Sequence, residues 1–176
     1  RDVNFRWTKG PTPRRGIAEA ASFAWNVERS MCPVSAEPFL LSSAVELIIA
    51  QRLVRKLCVA CRYSVGKPRA VFAQEHPTIA QYFPGETVRH YLGKGCNACG
   101  NTGYKGRVGL FEMISGTQAL REKIMKRPSA MEILEVAQKA GMQPMFFDGV
   151  EKVLNGVTSL EELLRVAVPP EAYAQV

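Results

Sequence analysis

The chain has 176 residues, 47% hydrophobic and 22% charged, with a formal net charge of +7. This is the balance of a globular protein of one domain or two small ones, and no apolar run is long enough to read as a transmembrane segment. Basicity alone fits nucleic acid, anionic lipid headgroups, an acidic protein face or a plain solvated surface, and selects none of them.

Residues 1–36 stand apart from the rest. They hold both tryptophans, Trp7 and Trp25, and the run from Lys9 to Gly16 with its two prolines cannot continue a helix or a central strand. From residue 37 the pattern firms. Pro38 suits a first helical turn, and the apolar residues Phe39, Leu40, Leu41, Val45, Leu47, Ile48, Ile49, Leu53, Val54 and Leu57 predict a helix over 37–57, apolar over most of its circumference and therefore buried. Arg52, Arg55 and Lys56 would then sit near the helix C-terminus, where cations interact favourably with its dipole. Residues 58–106 form a cysteine-bearing unit whose long spacer is broken by Gly66, Pro68, Pro77, Pro84 and Gly85, so irregular chain with short extended pieces is expected.

Over 107–167 the chain reads as one strand followed by a helical cluster. Val108 to Ile114 carries the strand, with its β-formers and bulky apolar residues. A short helix through Ala119, Leu120, Ile124 and Met125 is stopped by Pro128. Ser129 and Glu132 form a capping box for a second helix that Gly141 closes, and Met145 to Leu154 forms a third. Ser159, with Glu161 and Glu162 behind it, opens the last, and Pro169-Pro170 ends it before a tail at 168–176. The expected fold is α+β and mostly helical: a buried helix, a four-cysteine zinc-stapled loop, a short strand and a C-terminal helical cluster.

The chemistry lies in two C-x-x-C pairs, Cys58 with Cys61 and Cys96 with Cys99. Such a turn lets both sulfurs of a pair face one point, and two turns complete the four-thiolate shell of Zn²⁺. Gly95 and Gly100 flank the second pair, where a knuckle needs positive φ so that N–H groups can turn toward sulfur. Two disulfides, a redox-active C-x-x-C and unrelated buried thiols are the rival readings. A fifth thiol, Cys32, and the lack of a signal peptide weigh against disulfides, and neither pair opens a helix in a βαβ setting. Four thiolates around one Zn²⁺ would add four negative and two positive charges, leaving +5. His76 and His90, in the spacer, are expected at the surface.

Taken together, these residues resemble the C-terminal portion of the traffic ATPases of type II secretion and type IV pilus assembly. The resemblance rests on the run from Glu37 to Ser43, on Ala50 to Leu57 leading into Cys58-x-x-Cys61, and on Gly95-Cys96-x-x-Cys99-x-x-Thr102-Gly103-Tyr104-x-Gly106-Arg107-x-Gly109-Leu110-Phe111-Glu112. Gly141-Met142, Asp148-Gly149, Lys152-Val153, Gly156, Thr158, Glu161-Glu162 and Arg165-Val166 follow in the family's order. It implies that Cys58, Cys61, Cys96 and Cys99 bind structural zinc in a subdomain of a hexameric cytoplasmic motor. That motor works through an inner-membrane platform protein, so a cytoplasmic location with peripheral contact to the inner membrane is expected.

The family's phosphate-placing parts have no counterpart here. A P-loop needs G-x-x-x-x-G-K-[ST], and no such run occurs; the acidic Walker B and histidine segments expected upstream of Glu37 are also not found. The chain by itself is therefore expected neither to bind nor to hydrolyse ATP, and a truncated or frameshifted remnant of a longer motor is the accompanying expectation. The alternative is a zinc-ribbon nucleic-acid-binding module using Arg62, Tyr63, Lys67, Arg69, Arg89, His90, Tyr91 and Lys94 around the spacer.

Overall fold

A computed structural model describes residues 37–170. The expectations placed on 1–36, including Cys32 and the two tryptophans, and on most of the tail lie outside the described residues. Helix α1 (Pro38–Ala44) leads into strand β1 (Leu47–Leu57), and β2 (Arg62–Pro68) is followed by α2 (Arg69–Glu75), β3 (Thr87–Gly93) and β4 (Tyr104–Ser115). Four helices complete the described chain: α3 (Gln118–Met125), α4 (Ala130–Lys139), α5 (Met145–Leu154) and α6 (Leu160–Val166). The α+β class is as expected.

The predicted buried helix over 37–57 is corrected. Only Pro38–Ala44 is helical; Val45 is extended, with φ −76° and ψ 116°, and the next eleven-residue element is a strand. Burial alternates along it: Ile48, Ala50, Arg52 and Val54 turn inward while Leu47, Ile49, Gln51 and Leu53 turn outward. Apolar residues on both faces of a strand mimic an all-round apolar helix in a composition count. The β-branched Ile48, Ile49 and Val54 tip the backbone the other way, because they pack well on a pleated surface. Arg52, Arg55 and Lys56 consequently lie on a strand, and the helix-dipole reading of them falls.

β1 pairs with β4 antiparallel, from Leu47 opposite Ser115 to Arg55 opposite Arg107, with an irregularity between Arg55 and Leu57. The spacer is more ordered than expected: β2 and β3 make a second antiparallel pair in continuous register, Arg62 opposite Gly93 and Pro68 opposite Thr87, with α2 between them. Phe72 from α2 is fully buried against Phe83, with ring centroids 5.2 Å apart. β content thus exceeds the short strands and extended pieces expected.

The main core joins these units. Val54 and Leu110 from the long ribbon, Phe72, Phe83 and Val88 from the spacer, and Phe146, Val150, Val153, Leu160 and Leu163 from α5 and α6 form one cluster. A smaller one gathers Ile114, Leu120, Ile124 and Ala137. The four C-terminal helices start and stop where the sequence signals them. Thr117, Ser129 and Ser159 each cap a helix by accepting a backbone N–H, and at Ser129 the reciprocal bond from Glu132 completes the predicted box.

Candidate metal centre

Two tight turns bring the cysteines together. In the first, the N–H groups of Cys61 and Arg62 donate to the carbonyl of Cys58 at 3.2 and 2.9 Å; in the second, those of Cys99 and Asn101 donate to the carbonyl of Cys96 at 3.1 and 2.9 Å. Gly95 and Gly100 have φ of +88° and +60°, the left-handed values expected for the second knuckle. At Gly95 the backbone is also crowded, since a Cβ would stand 2.6 Å from the Asn101 carbonyl oxygen. The turns are joined directly: Cys58 N–H donates to the Gly103 carbonyl at 2.9 Å and Lys94 N–H to that of Cys61 at 3.2 Å.

The four sulfurs lie within 4.8 Å of one another. Sγ of Cys58 is 3.9 Å from that of Cys96, Cys61 is 3.9 Å from Cys99, and Cys96 is 3.7 Å from Cys99. A regular tetrahedron with metal–sulfur distances of about 2.3 Å has edges of about 3.8 Å. A disulfide would require about 2.05 Å. All four thiols are free, and the disulfide rival fails on distance. The donor set and spacing fit Zn²⁺, with Cys58 buried and the other three half-buried, which leaves the centre closed on one side and near solvent on the other.

Surrounding N–H groups favour ionised sulfur at Cys99. Cys96 N–H and Gly103 N–H point at Sγ of Cys99 from 3.2 and 3.3 Å. Burial opposes ionisation of Cys99, but these two donors outweigh it and bring the thiol down to about 6. Burial dominates at Cys61 and pushes its thiol up to about 12, against a backbone contact with Gly95. Cys61 and Cys99 are thus driven in opposite directions; a divalent cation would remove the conflict by stabilising both thiolates at once.

Contacts that the sequence did not announce tie this centre to the C-terminal helices. Arg62 follows the first knuckle and donates from Nη1 to the Gly156 carbonyl at 2.6 Å. Leu57 N–H donates to the Val157 carbonyl at 2.9 Å, the buried Thr158 hydroxyl to that of Arg55 at 2.8 Å, and Tyr104 and Ser159 share a hydroxyl bond at 2.8 Å. Glu162 is buried and is the hub of the corner. Its carboxylate accepts the Arg55 backbone N–H at 2.8 Å and pairs with the guanidinium groups of Arg55 at 2.8 Å and Arg165 at 3.0 Å. In sequence Glu162 reads as an ordinary first-turn acid; only its partner half a chain away shows the difference.

Several of the residues proposed for nucleic acid are engaged within the protein. His90 is buried, against the expectation of a surface residue, because its ring packs toward Phe72 at 6.2 Å. Lys67 pairs with Glu75 at 2.5 Å, Arg69 donates to the Phe83 carbonyl at 2.9 Å, and Arg62 and Lys94 lie over the rings of Tyr91 and Tyr63 at 5.7 and 5.1 Å. Lys67, Arg69 and Arg62 each have a partner within the protein, the last of them on Gly156 outside the subdomain.

The sequence pattern of the family described as Type II/IV secretion system protein matches residues 22–165, beginning upstream of Glu37, where the motif resemblance starts. The chain belongs to this family. It is 42% identical over 131 residues to the type IV pilus assembly ATPase PilB of Pseudomonas aeruginosa, covering 73% of this chain and 22% of that protein. Identity is 38% over 128 residues with PilB of Thermus thermophilus, covering 73% of this chain and 14% of that protein. It is 40% over 131 residues with type II secretion system protein E of Aeromonas hydrophila, covering 74% and 25%. This member of the family therefore spans a quarter or less of the length of these relatives. No helix among the described residues is long and apolar enough to cross a membrane.

Proposed function

We propose that this chain is a zinc-stabilised C-terminal module of a type II secretion or type IV pilus assembly motor, serving assembly or coupling to the inner-membrane platform protein and not hydrolysing ATP by itself. One observation carries the reading: four sulfurs from two distant turns sit at the edge length of a zinc tetrathiolate. Cys58, Cys61, Cys96 and Cys99 are the ligands. A four-sulfur shell leaves no open position for water or substrate, so the ion fastens the fold and performs no chemistry.

Zinc would hold the β2–β3 unit against the end of the long ribbon. Arg62, Val157, Thr158 and Ser159 carry that fixation into α6, so the subdomain and the C-terminal helices move together. Rigid linkage of this kind suits a part that passes motion between a motor and its platform protein on the cytoplasmic side of the membrane.

Metal analysis of the purified chain tests the reading. One zinc per chain, with loss of structure in residues 58–106 on chelation, is the expected result; a chain that folds identically without metal overturns it. Labelled ATP should show no saturable binding to this chain alone, and the cytoplasmic part of the platform protein should retain the zinc-loaded but not the chelated form.

A further inference from the structure

Two glycines from separate stretches of the chain cross beside the cysteines. Gly93 ends β3, and Gly103 is the buried residue just before β4. A Cβ added at Gly93 would stand 2.4 Å from the Gly103 carbonyl oxygen and 2.7 Å from its Cα, and one added at Gly103 would stand 2.8 Å from the Gly93 carbonyl oxygen. Ordinary contact begins at 3.4 Å, and every atom met is backbone, which cannot swing aside as a side chain can. Only a pair of glycines lets the chain pass itself this closely.

Each side of the crossing is fixed to a cysteine turn. Gly93 stands opposite Arg62 in the β2–β3 ladder, and the next N–H, that of Lys94, donates to the Cys61 carbonyl at 3.2 Å, so this side belongs to the first turn. Gly103 touches both turns. Its N–H points at Sγ of Cys99 from 3.3 Å, and its carbonyl accepts the Cys58 N–H at 2.9 Å. The sulfur edges that span the turns, Cys58 to Cys96 and Cys61 to Cys99, are both 3.9 Å, while the edge inside the second turn is 3.7 Å. A methyl group at the crossing regains contact distance only by moving the backbones about 1 Å apart, which stretches the two spanning edges and leaves the third alone. Gly66 gives the contrast: in the same ladder, its Cβ would meet only the Thr87 side chain, at 3.3 Å.

Given the zinc centre proposed above, we propose that Gly93 and Gly103 are its positioning residues: their crossing, free of side chains, sets the gap between the two cysteine turns and through it the affinity for the metal. Neither glycine supplies a ligand. They act through Cys58, Cys61 and Cys99, whose backbone or sulfur atoms the crossing holds. Gly93 isolates the effect, because its φ is not left-handed and alanine there adds the contact alone, whereas Gly103 has φ +77° and alanine there adds backbone strain as well.

Competition with a chromogenic chelator on the full chain tests this, with cobalt and cadmium as spectroscopic substitutes for zinc. Gly93→Ala should keep all four sulfurs and lose zinc affinity by about tenfold to a hundredfold, the range for residues that orient metal ligands. Gly66→Ala should match the parent. The thiolate-to-cobalt charge-transfer band should shift in Gly93→Ala and not in Gly66→Ala, a change that lower stability does not produce by itself. In the cadmium-loaded parent, the Gly103 amide proton should couple to the metal through Sγ of Cys99. Equal zinc affinity in the parent and Gly93→Ala overturns the proposal and leaves the zinc reading standing; a parent that binds no zinc overturns both. If Gly93→Ala does not fold, the parent decides, and a cadmium spectrum without that coupling overturns the proposal.

Discussion

Glu162 and Arg55 are joined twice, through the Arg55 backbone N–H at 2.8 Å and through its guanidinium at 2.8 Å, and this double contact pins α6 to the end of β1 just ahead of the first cysteine turn. Burial opposes ionisation of Glu162, but donors from Arg165 and Arg55 outweigh it and hold the carboxyl at about 2.

Glu162→Gln should lower stability by about 2 kcal/mol, the scale of hydrogen bonds to a charged group. The folded carboxyl titrates below its unfolded value of about 4.3. Its contribution is therefore complete above that value and is lost as pH falls toward about 2. Denaturant unfolding at neutral pH and between pH 5 and 2 checks both parts, and the variant should lose much of the acid-side slope.

Cys96→Ser should reduce bound zinc to well below one per chain and free the second knuckle. Gly95→Ala should weaken zinc binding while keeping all four sulfurs, because the substitution needs a left-handed backbone and collides with the Asn101 carbonyl. Cys32→Ser should leave the metal content unchanged. Atomic emission with a competing chelator measures all three.

Ser129→Ala should cost about 1 kcal/mol, the usual value of a lost N-cap. Ser129 accepts the Glu132 N–H at 3.4 Å and returns its own N–H to the Glu132 carboxylate at 2.8 Å. Lys123 is the main cause, followed by the Ser129 donors, of that carboxyl lying at about 2. Thermal unfolding checks the cost, and exchange at the first turn of α4 should rise before exchange in α5.

His90→Phe should flatten the dependence of stability on pH in mild acid. Burial lowers the pKa of His90, with repulsion from Lys67 and His76 adding to it and Glu75 opposing it. Nδ1 is buried without a partner. The unfolded chain therefore takes up its proton first, near an unfolded pKa of about 6.5, and the folded state loses stability as pH falls below that value. Urea unfolding between pH 7.5 and 5 should show a decline in the parent that is smaller in the variant.

Much of the fold was legible because its signals are local. Capping residues and helix stops at Ser129, Gly141, Ser159 and Pro169 act within one turn, so α3 to α6 appear where the sequence places them. Residues 37–57 misled because a strand apolar on both faces has the same composition as a buried helix. The ribbon partner that decides between them, β4, lies beyond the whole cysteine unit.

The sequence by itself determined the two paired cysteine motifs, the glycines that shape the second cysteine turn, and membership of a secretion and pilus family, since each depends on residue type at short or ordered spacing. Tertiary structure alone decided that the four sulfurs converge at tetrahedral distance, that Glu162 is a buried hub rather than a surface acid, and that His90 is enclosed. The physical reason is that burial and ion pairing are set by which distant segments the packed core brings together, and these pairings leave no mark on either segment read separately.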